Sequence, residues 1–295
     1  MSLDMSKTLV SVVIPCYNHE DFVQASIQSV INQTYENIEL IIIDDGSKDG
    51  SIAKIEEMTK LCEQRFVNFE FRSRPNKGLS ATLNEAIEWC QGEYYSGIAS
   101  DDVILSHKLK VQVEFLNSHH NVLAVFGGVQ HIDENDKIIA TSLSKSRYYD
   151  FKRIIMHKFD LPAVTQLIRL QALKETGGYD SSIILEDWYM WLKLTKHGSI
   201  YYMSEIFALY RQHDNNISKD SEKMKHGRLD VLSFFKDSKY YNKALTNIKW
   251  LNTKKQYEES SNKIKYSLRL FSIKPFKTAN YFFKKFVKTI KLSLK

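Results

Sequence analysis

Cysteine is scarce in this chain: 295 residues hold only Cys16, Cys62 and Cys90. Three is an odd number, and the spacing follows no metal-ligand pattern. A disulfide framework is therefore not expected and a reducing compartment fits. Each thiol reads as a small apolar side chain for a core. Neither a leader nor a membrane span is expected. The opening MSLDMSKTLVSVVIP shows no charged-then-apolar signal pattern. Its apolar run stops at Pro15, far short of the roughly 20 residues that cross a bilayer. No later stretch is long enough either, so the expected location is the cytoplasm. Internal repeats and low-complexity linkers are lacking too. With 43% hydrophobic and 26% charged residues, the composition is that of an ordinary globular protein.

Acidic residues are absent from one region. Asn262 to Lys295 carries ten Lys or Arg and no Asp or Glu, so the other 261 residues sum to −4 against a chain total of +6. A mildly acidic body with a basic tail points the tail toward an anionic surface. The site-bearing body is a poor match for nucleic acid.

The first half alternates strand and helix patterns. Leu9 to Ile14 (LVSVVI) and Ile38 to Ile43 (IELIII) read as buried strands, with Val67 to Arg72 and Glu93 to Ala99 as two more. Between them, 20–33, 51–64 and 79–90 read as helices, the last ended by Gly92. A further helix spans 107–117 with Ser106 as its cap. This order predicts an α/β fold whose sheet is mainly parallel and flanked by helices. The second half is less regular: a strand at 124–132, a helix at 186–197, a strand pair or edge at 200–210, and polar helices from Ser221 onward. The expected domains are a catalytic body over 1–220, its nucleotide half about 1–105 and its acceptor half about 106–220, and a helical basic extension over 221–295.

In open sheets of this kind ligands bind beyond the carboxyl ends of the strands. Three such ends carry polar residues: Tyr17-Asn18, Asp44-Asp45 and Asp101-Asp102. Adjacent carboxylates repel unless a cation neutralises them. Mg2+ or Mn2+ held by one or two carboxylates and a diphosphate would do so. A turn and helix N-cap explain the same pair equally well, and capping is also the alternative for Asp44 and Asp45. Tyr17 can stack on a base or simply pack. Glu186-Asp187 opens the helix bearing Trp188 and Trp191, where acids favour the helix dipole or supply a general base. His213 can complete a metal site, and Arg211 can contact phosphate.

Five segments then occur in a fixed order: SVVIPCYNHEDFVQASIQSVINQTYENIELIIIDDGSKDGS (11–51), NKGLSATLNEAI (76–87), SDD (100–102), GGYDSSIILEDWYMWLKL (177–194) and YRQHDNNIS (210–218). Together they resemble the inverting, nucleotide-diphospho-sugar-using glycosyltransferases of family 2. The resemblance covers about the first 220 residues and implies a GT-A fold. It implies that Pro15, Tyr17 and Asp45 hold the nucleoside, usually uridine, of the donor. Asp101 and Asp102 take the place of the family's acidic motif, with Asp101 facing the donor and both facing Mn2+ or Mg2+. It makes Asp187 the general base, with Glu186 beside it, and His213 an extra metal or phosphate contact.

Two positions depart from the family pattern. Ala99 stands where the family often has an acid. Thr82-Leu83-Asn84 replaces an Ala-Arg-Asn whose Arg can face phosphate, leaving Lys77 or Arg74 as substitutes. The processive members' Gln-x-x-Arg-Trp motif has only a coincidental echo in Gln166 to Leu170, which precedes Asp187 and lacks the Trp. Single sugar addition is therefore expected. The partners implied are a nucleoside-diphosphate sugar and a saccharide acceptor linked to a polyprenyl diphosphate, as in bacterial surface-polysaccharide assembly. A nucleotidyltransferase is the poorer fit, because Pro15-Cys16-Tyr17-Asn18 has no glycine-rich phosphate loop. A non-catalytic nucleotide-sugar binder of the same fold is the remaining rival.

In the tail, Phe282, Phe286 and Ile290 follow i, i+4, i+8, with Lys284, Lys285, Lys288 and Lys291 on other faces. Such a basic amphipathic helix suits peripheral binding to an anionic membrane on the inner face of the cell. Packing against the catalytic body is the alternative.

Overall fold

The computed structural model describes residues 8–213 and 220–293. The opening MSLDMSK and the DNNIS of the last motif (214–218) lie outside the described residues, as do the side chains of Lys288 and Lys291. The chain divides into two compact units, Met1–Ile154 with Lys158–Lys219, and Ile155–His157 with Asp220–Lys295.

The first unit is built on a ten-stranded sheet. Its first half is β1 (Val10–Cys16), α1 (Val23–Ile31), β2 (Ile38–Asp44), α2 (Ser51–Glu56), α3 (Thr59–Arg65), β3 (Asn68–Ser73), α4 (Leu79–Trp89) and β4 (Tyr94–Gly97). Strands β3, β2, β1 and β4 lie side by side and all pair in parallel. All seven residues of β2 are buried, as an interior strand covered on both faces requires. The buried charge of Glu39 in that strand is satisfied: its carboxylate accepts Ser11 Oγ at 2.5 Å, Gln91 N at 2.6 Å and Gly92 N at 3.1 Å. Gly92 has no room for a side chain, since a Cβ there would lie 2.7 Å from the Leu9 carbonyl oxygen.

The remaining elements are β5 (Val103–Ile104), α5 (Lys108–Ser118), β6 (Val122–Ile132), β7 (Ile138–Ser142), β8 (Arg147–Tyr149), α6 (Phe151–Ile155), a 3-10 turn (Ala163–Thr165), β9 (Leu167–Arg169), α7 (Leu170–Glu175), α8 (Glu186–Leu194) and β10 (Ser199–Arg211). The sheet order runs β3-β2-β1-β4-β9-β6-β10-β5. Strand β10 pairs in parallel with β6 and antiparallel with β5 and β8. The expected strand pair at 200–210 is thus one long strand, bent by register shifts near Tyr202 and Ile206. The expected helix at 51–64 is two helices, and Ser106 is not a cap. The Ser106 carbonyl accepts Thr34 N at 2.9 Å, and α5 starts from a backbone turn, Lys108 N to Leu105 O.

The second unit contains α9 (Ser221–Ser233), α10 (Tyr241–Glu259), α11 (Lys263–Ile273) and α12 (Pro275–Ser293). Buried Asn247 organises it, donating to the Met156 carbonyl and accepting from Lys274 and Lys277 Nζ, both at 2.9 Å. Trp250 Nε1 donates to Thr278 Oγ1 at 2.9 Å, tying α12 to α10. No helix among the described residues is long and apolar enough to cross a membrane.

Candidate active site

Because β2, β1 and β4 are adjacent and parallel, their carboxyl ends form one edge, and the turns after them deliver the predicted polar residues together. After β2, Asp44 is structural. Its carboxylate accepts Gly46 N at 3.1 Å, Ser47 N at 3.0 Å and Ser73 Oγ at 3.2 Å, and also takes the Ser47 hydroxyl. Gly46 adopts φ +79°, and a Cβ there would lie 2.7 Å from Asn76 N. The turn therefore presses the 74–78 loop against the strand end.

Asp45 organises that loop. It accepts Lys77 N at 2.8 Å and Gly78 N at 2.9 Å and forms an ion pair with Arg74. Arg74 is itself forked onto Glu85 at 2.8 Å and Thr82 Oγ1 at 2.9 Å. An ionised carboxylate offers about four acceptor directions, and these three contacts occupy three of them on the nearly buried Asp45. Lys77 points its ammonium to solvent, 3.8 Å from Glu85. Leu83, in the place of the family's Arg, is buried. Tyr17 is 47% exposed at the end of β1, an open ring beside the same turn. Pro15 is only partly buried there.

The end of β4 meets the ends of β1 and β10. Asp101 Oδ2 lies 2.8 Å from His213 Nε2. His19, just after β1, faces the same point: its ring is 5.8 Å from that of His213, and its Nδ1 bonds Ser100 Oγ at 2.7 Å. One ligand atom from each of His19, Asp101 and His213 lies within 4.8 Å of the others. Two imidazoles and a carboxylate at that separation fit a divalent cation. Burial lowers the His19 pKa, against the pull of the Asp101 charge, which favours the neutral ligating ring.

Asp102 turns the other way. Its Oδ1 accepts Arg211 N at 2.8 Å, and burial, helped by the Asp101 charge, pushes its carboxyl well above the usual range. Arg211 is 2% exposed. It donates to the carbonyls of Asp101 (2.9 Å) and Asp133 (3.0 Å) and to Asp136 Oδ1 (2.7 Å). It thus supports the Asp101-Asp102 turn from behind.

Glu186 and Asp187 form the first turn of α8, and both side chains keep part of their surface open. Burial raises both carboxyls, and the Asp187 charge raises Glu186 further. The loop before α8 is held by Asn84, which donates to Tyr179 O at 2.8 Å and accepts Tyr179 N at 2.8 Å. Gly178, at φ +75°, makes room for this, since a Cβ there would lie 2.5 Å from Asn84 Oδ1. Sequence reasoning did not single out His19 or give Asn84 a role. His19 lies two residues past Tyr17, and its pairing with a residue about 190 positions later leaves no local signal.

The fold is that of solved GT-A glycosyltransferases. S. aureus TarS (residues 1–349) in complex with UDP-GlcNAc superposes with a TM-score of 0.63 at 18% identity, over 89% of this chain and 76% of that one. The mannosyltransferase PcManGT of Pyrobaculum calidifontis, in complex with GDP-Man and Mn2+, gives 0.60 at 14% identity over 92% and 82%. The sequence narrows this further: the glycosyl transferase family 2 domain matches residues 11–177, and the chain belongs to that family. An uncharacterized glycosyltransferase of Rickettsia typhi is 30% identical over 214 residues, 70% of this chain and 64% of its own length. Another, from Haemophilus influenzae, is 26% identical over 279 residues, 87% and 83% of the two chains. The chain spans only 36% of the length of a Rickettsia conorii relative that it matches at 28% identity.

Proposed function

We propose that this chain transfers a sugar from a nucleoside diphosphate, UDP in the first instance, to a hydroxyl of a lipid-linked saccharide, with inversion and one sugar per encounter. The observation that carries this reading is the His19–Asp101–His213 cluster at the strand edge that also bears Tyr17 and Asp45. Tyr17 stacks on the base, and the remaining acceptor direction of Asp45 takes an N–H of its pairing edge. Lys77 lies on the adjacent loop to meet the diphosphate.

His19, Asp101 and His213 would hold a divalent cation, which when bound would supply Lewis-acid stabilisation of charge on the departing diphosphate. Two imidazole ligands favour Mn2+ over the harder, oxygen-seeking Mg2+. Asp102, on this reading, shapes the turn and bonds no cation directly. Asp187 accepts the proton of the acceptor hydroxyl as it attacks the anomeric carbon from the face opposite the diphosphate. Its raised pKa makes it a stronger base than an exposed carboxylate. Burial sustains that shift, and Asn84 positions the loop that leads to Glu186 and Asp187.

A panel of UDP-, GDP- and dTDP-sugars with Mn2+ or Mg2+ tests the reading, with products followed by NMR at the anomeric carbon. Mn2+-dependent consumption of one donor, lost in Asp101→Ala, is expected. Metal-independent consumption, or binding of a donor that is never consumed, would overturn it and favour the non-catalytic binder.

A further inference from the structure

The second unit exposes far more apolar surface than its fold needs to. On α11, Ile264, Leu268 and Phe271 are 75%, 67% and 41% exposed, and their spacing of i, i+4, i+7 puts them on one stripe. On α12, Phe276, Phe283, Phe286 and Ile290 are 91%, 66%, 64% and 40% exposed, and their spacing of i, i+7, i+10, i+14 makes a second stripe. Both helices pack by other faces. Leu270 of α11 and Thr278 of α12 are fully buried, and Thr278 Oγ1 donates to the Leu270 carbonyl at 2.9 Å while accepting from Trp250. At 100° per residue, Thr278 lies roughly opposite the Phe276–Phe283 line. The apolar stripe of α12 therefore points away from the unit it is tied to. Phe271 stacks on Phe282 at 5.9 Å between ring centroids, so the α11 stripe runs into the apolar side of α12.

The charge around this surface has one sign. Lys263, Lys265, Arg269, Lys284 and Lys285 are exposed on the same two helices, and 262–295 contains no acid. The acids of α10 pair within their own helix, Glu258 with Lys254 and Glu259 with Lys255, and Glu258 also accepts the Tyr281 hydroxyl of α12. Two aromatic-rich stripes rimmed by lysine match the chemistry of an anionic lipid surface, where apolar side chains enter the acyl boundary and ammonium groups stay at the headgroups.

We propose that α11 and α12 form a two-helix membrane-docking face that lies in the plane of an anionic bilayer. It takes in Ile264, Leu268 and Phe271 as well as the α12 side chains and binds through both at once.

The test is flotation of the full chain with vesicles of phosphatidylcholine alone and of phosphatidylcholine mixed with phosphatidylglycerol, without donor or acceptor. Binding to the anionic vesicles only, weakened by high salt, is expected. Phe283→Ser should weaken it about 10-fold or more, Leu268→Ser on α11 should weaken it comparably, and Lys284→Gln about 5-fold. These side chains are exposed, so thermal melting should be unchanged and confirm that the variants fold. Three outcomes would overturn the proposal. One is absence of anionic-vesicle binding. Another is binding indifferent to Leu268→Ser and Phe283→Ser. The third is a concentration-dependent dimer, abolished by the same substitutions, that accounts for the apolar face. Vesicle binding needs no sugar, so its failure leaves the transferase reading untouched, and a failed donor assay leaves vesicle binding untouched.

Discussion

Asp187→Asn should inactivate the protein and stabilise it at the same time. Asn keeps the size and most of the hydrogen bonding but cannot take a proton from the acceptor. Losing a general base costs about 10²–10⁴-fold in rate, with donor affinity unchanged because the role proposed for Asp187 is toward the acceptor. The stability gain follows from burial. The Asp187 carboxyl is raised from 3.8 to about 6, so the folded protein holds a proton there that the unfolded chain has already released. A carboxyl raised on folding costs stability as pH climbs from its unfolded to its folded pKa, and the cost stays constant above that. Two units correspond to roughly 3 kcal/mol at about 1.4 kcal/mol each. Glu186 shares the environment, so the variant recovers about 1–3 kcal/mol, a rise in Tm of roughly 2–10 °C for a unit of this size. Below about pH 3.8, where this carboxyl is neutral in the folded and the unfolded chain alike, the gain should vanish. Thermal melts of wild type and variant across that range, beside turnover at pH 8, check both halves. Full turnover, or a Tm difference that ignores pH, would refute the assignment.

The other outcomes follow from contacts named above. Turnover of the wild type should fall as pH drops through about 6, because the base becomes protonated, and pH–rate measurements read this limb directly. Asn84→Ala removes both ties to Tyr179, and should cost about 1–3 kcal/mol of stability with a loss in kcat larger than any change in donor KM. Arg74→Ala frees Asp45 and loosens the 74–78 loop, so donor KM should rise several-fold while the pH profile holds. Gly46→Ala must either move Asn76 or strain the turn, a cost of about 1–3 kcal/mol visible in denaturant melts.

The parallel half of the fold was legible because its signals are local. Runs such as IELIIID state full burial on their own, and the polar residues that end them mark the strand edge. The second half was less so. Strand β10 looks like two strands because its bulges break the alternation, and β8 and β9 are three residues each, set by pairing with distant partners. Lys108 shows the same limit. It is fully buried, its Nζ bonding Ser96 Oγ and the Gln166 carbonyl, and burial lowers its pKa to about 7, yet in sequence it looks like any helix-surface lysine. In the site, adjacency made Asp101 and Asp102 look equivalent. Only the path of β10, which brings Arg211 to one and His213 to the other, separates them. The α11 stripe went unnoticed because Lys263, Lys265 and Arg269 interrupt it in sequence though not on the helix surface.

The central claim is that the His19–Asp101–His213 cluster forms a diphosphate-cation site beside Tyr17 and Asp45. Calorimetric titration of UDP into the protein, with and without Mn2+, tests it most directly when repeated on Asp101→Ala and His213→Ala. Binding that requires Mn2+ and is lost in both variants is the predicted result. UDP binding of equal strength in all three proteins, indifferent to Mn2+, would contradict it.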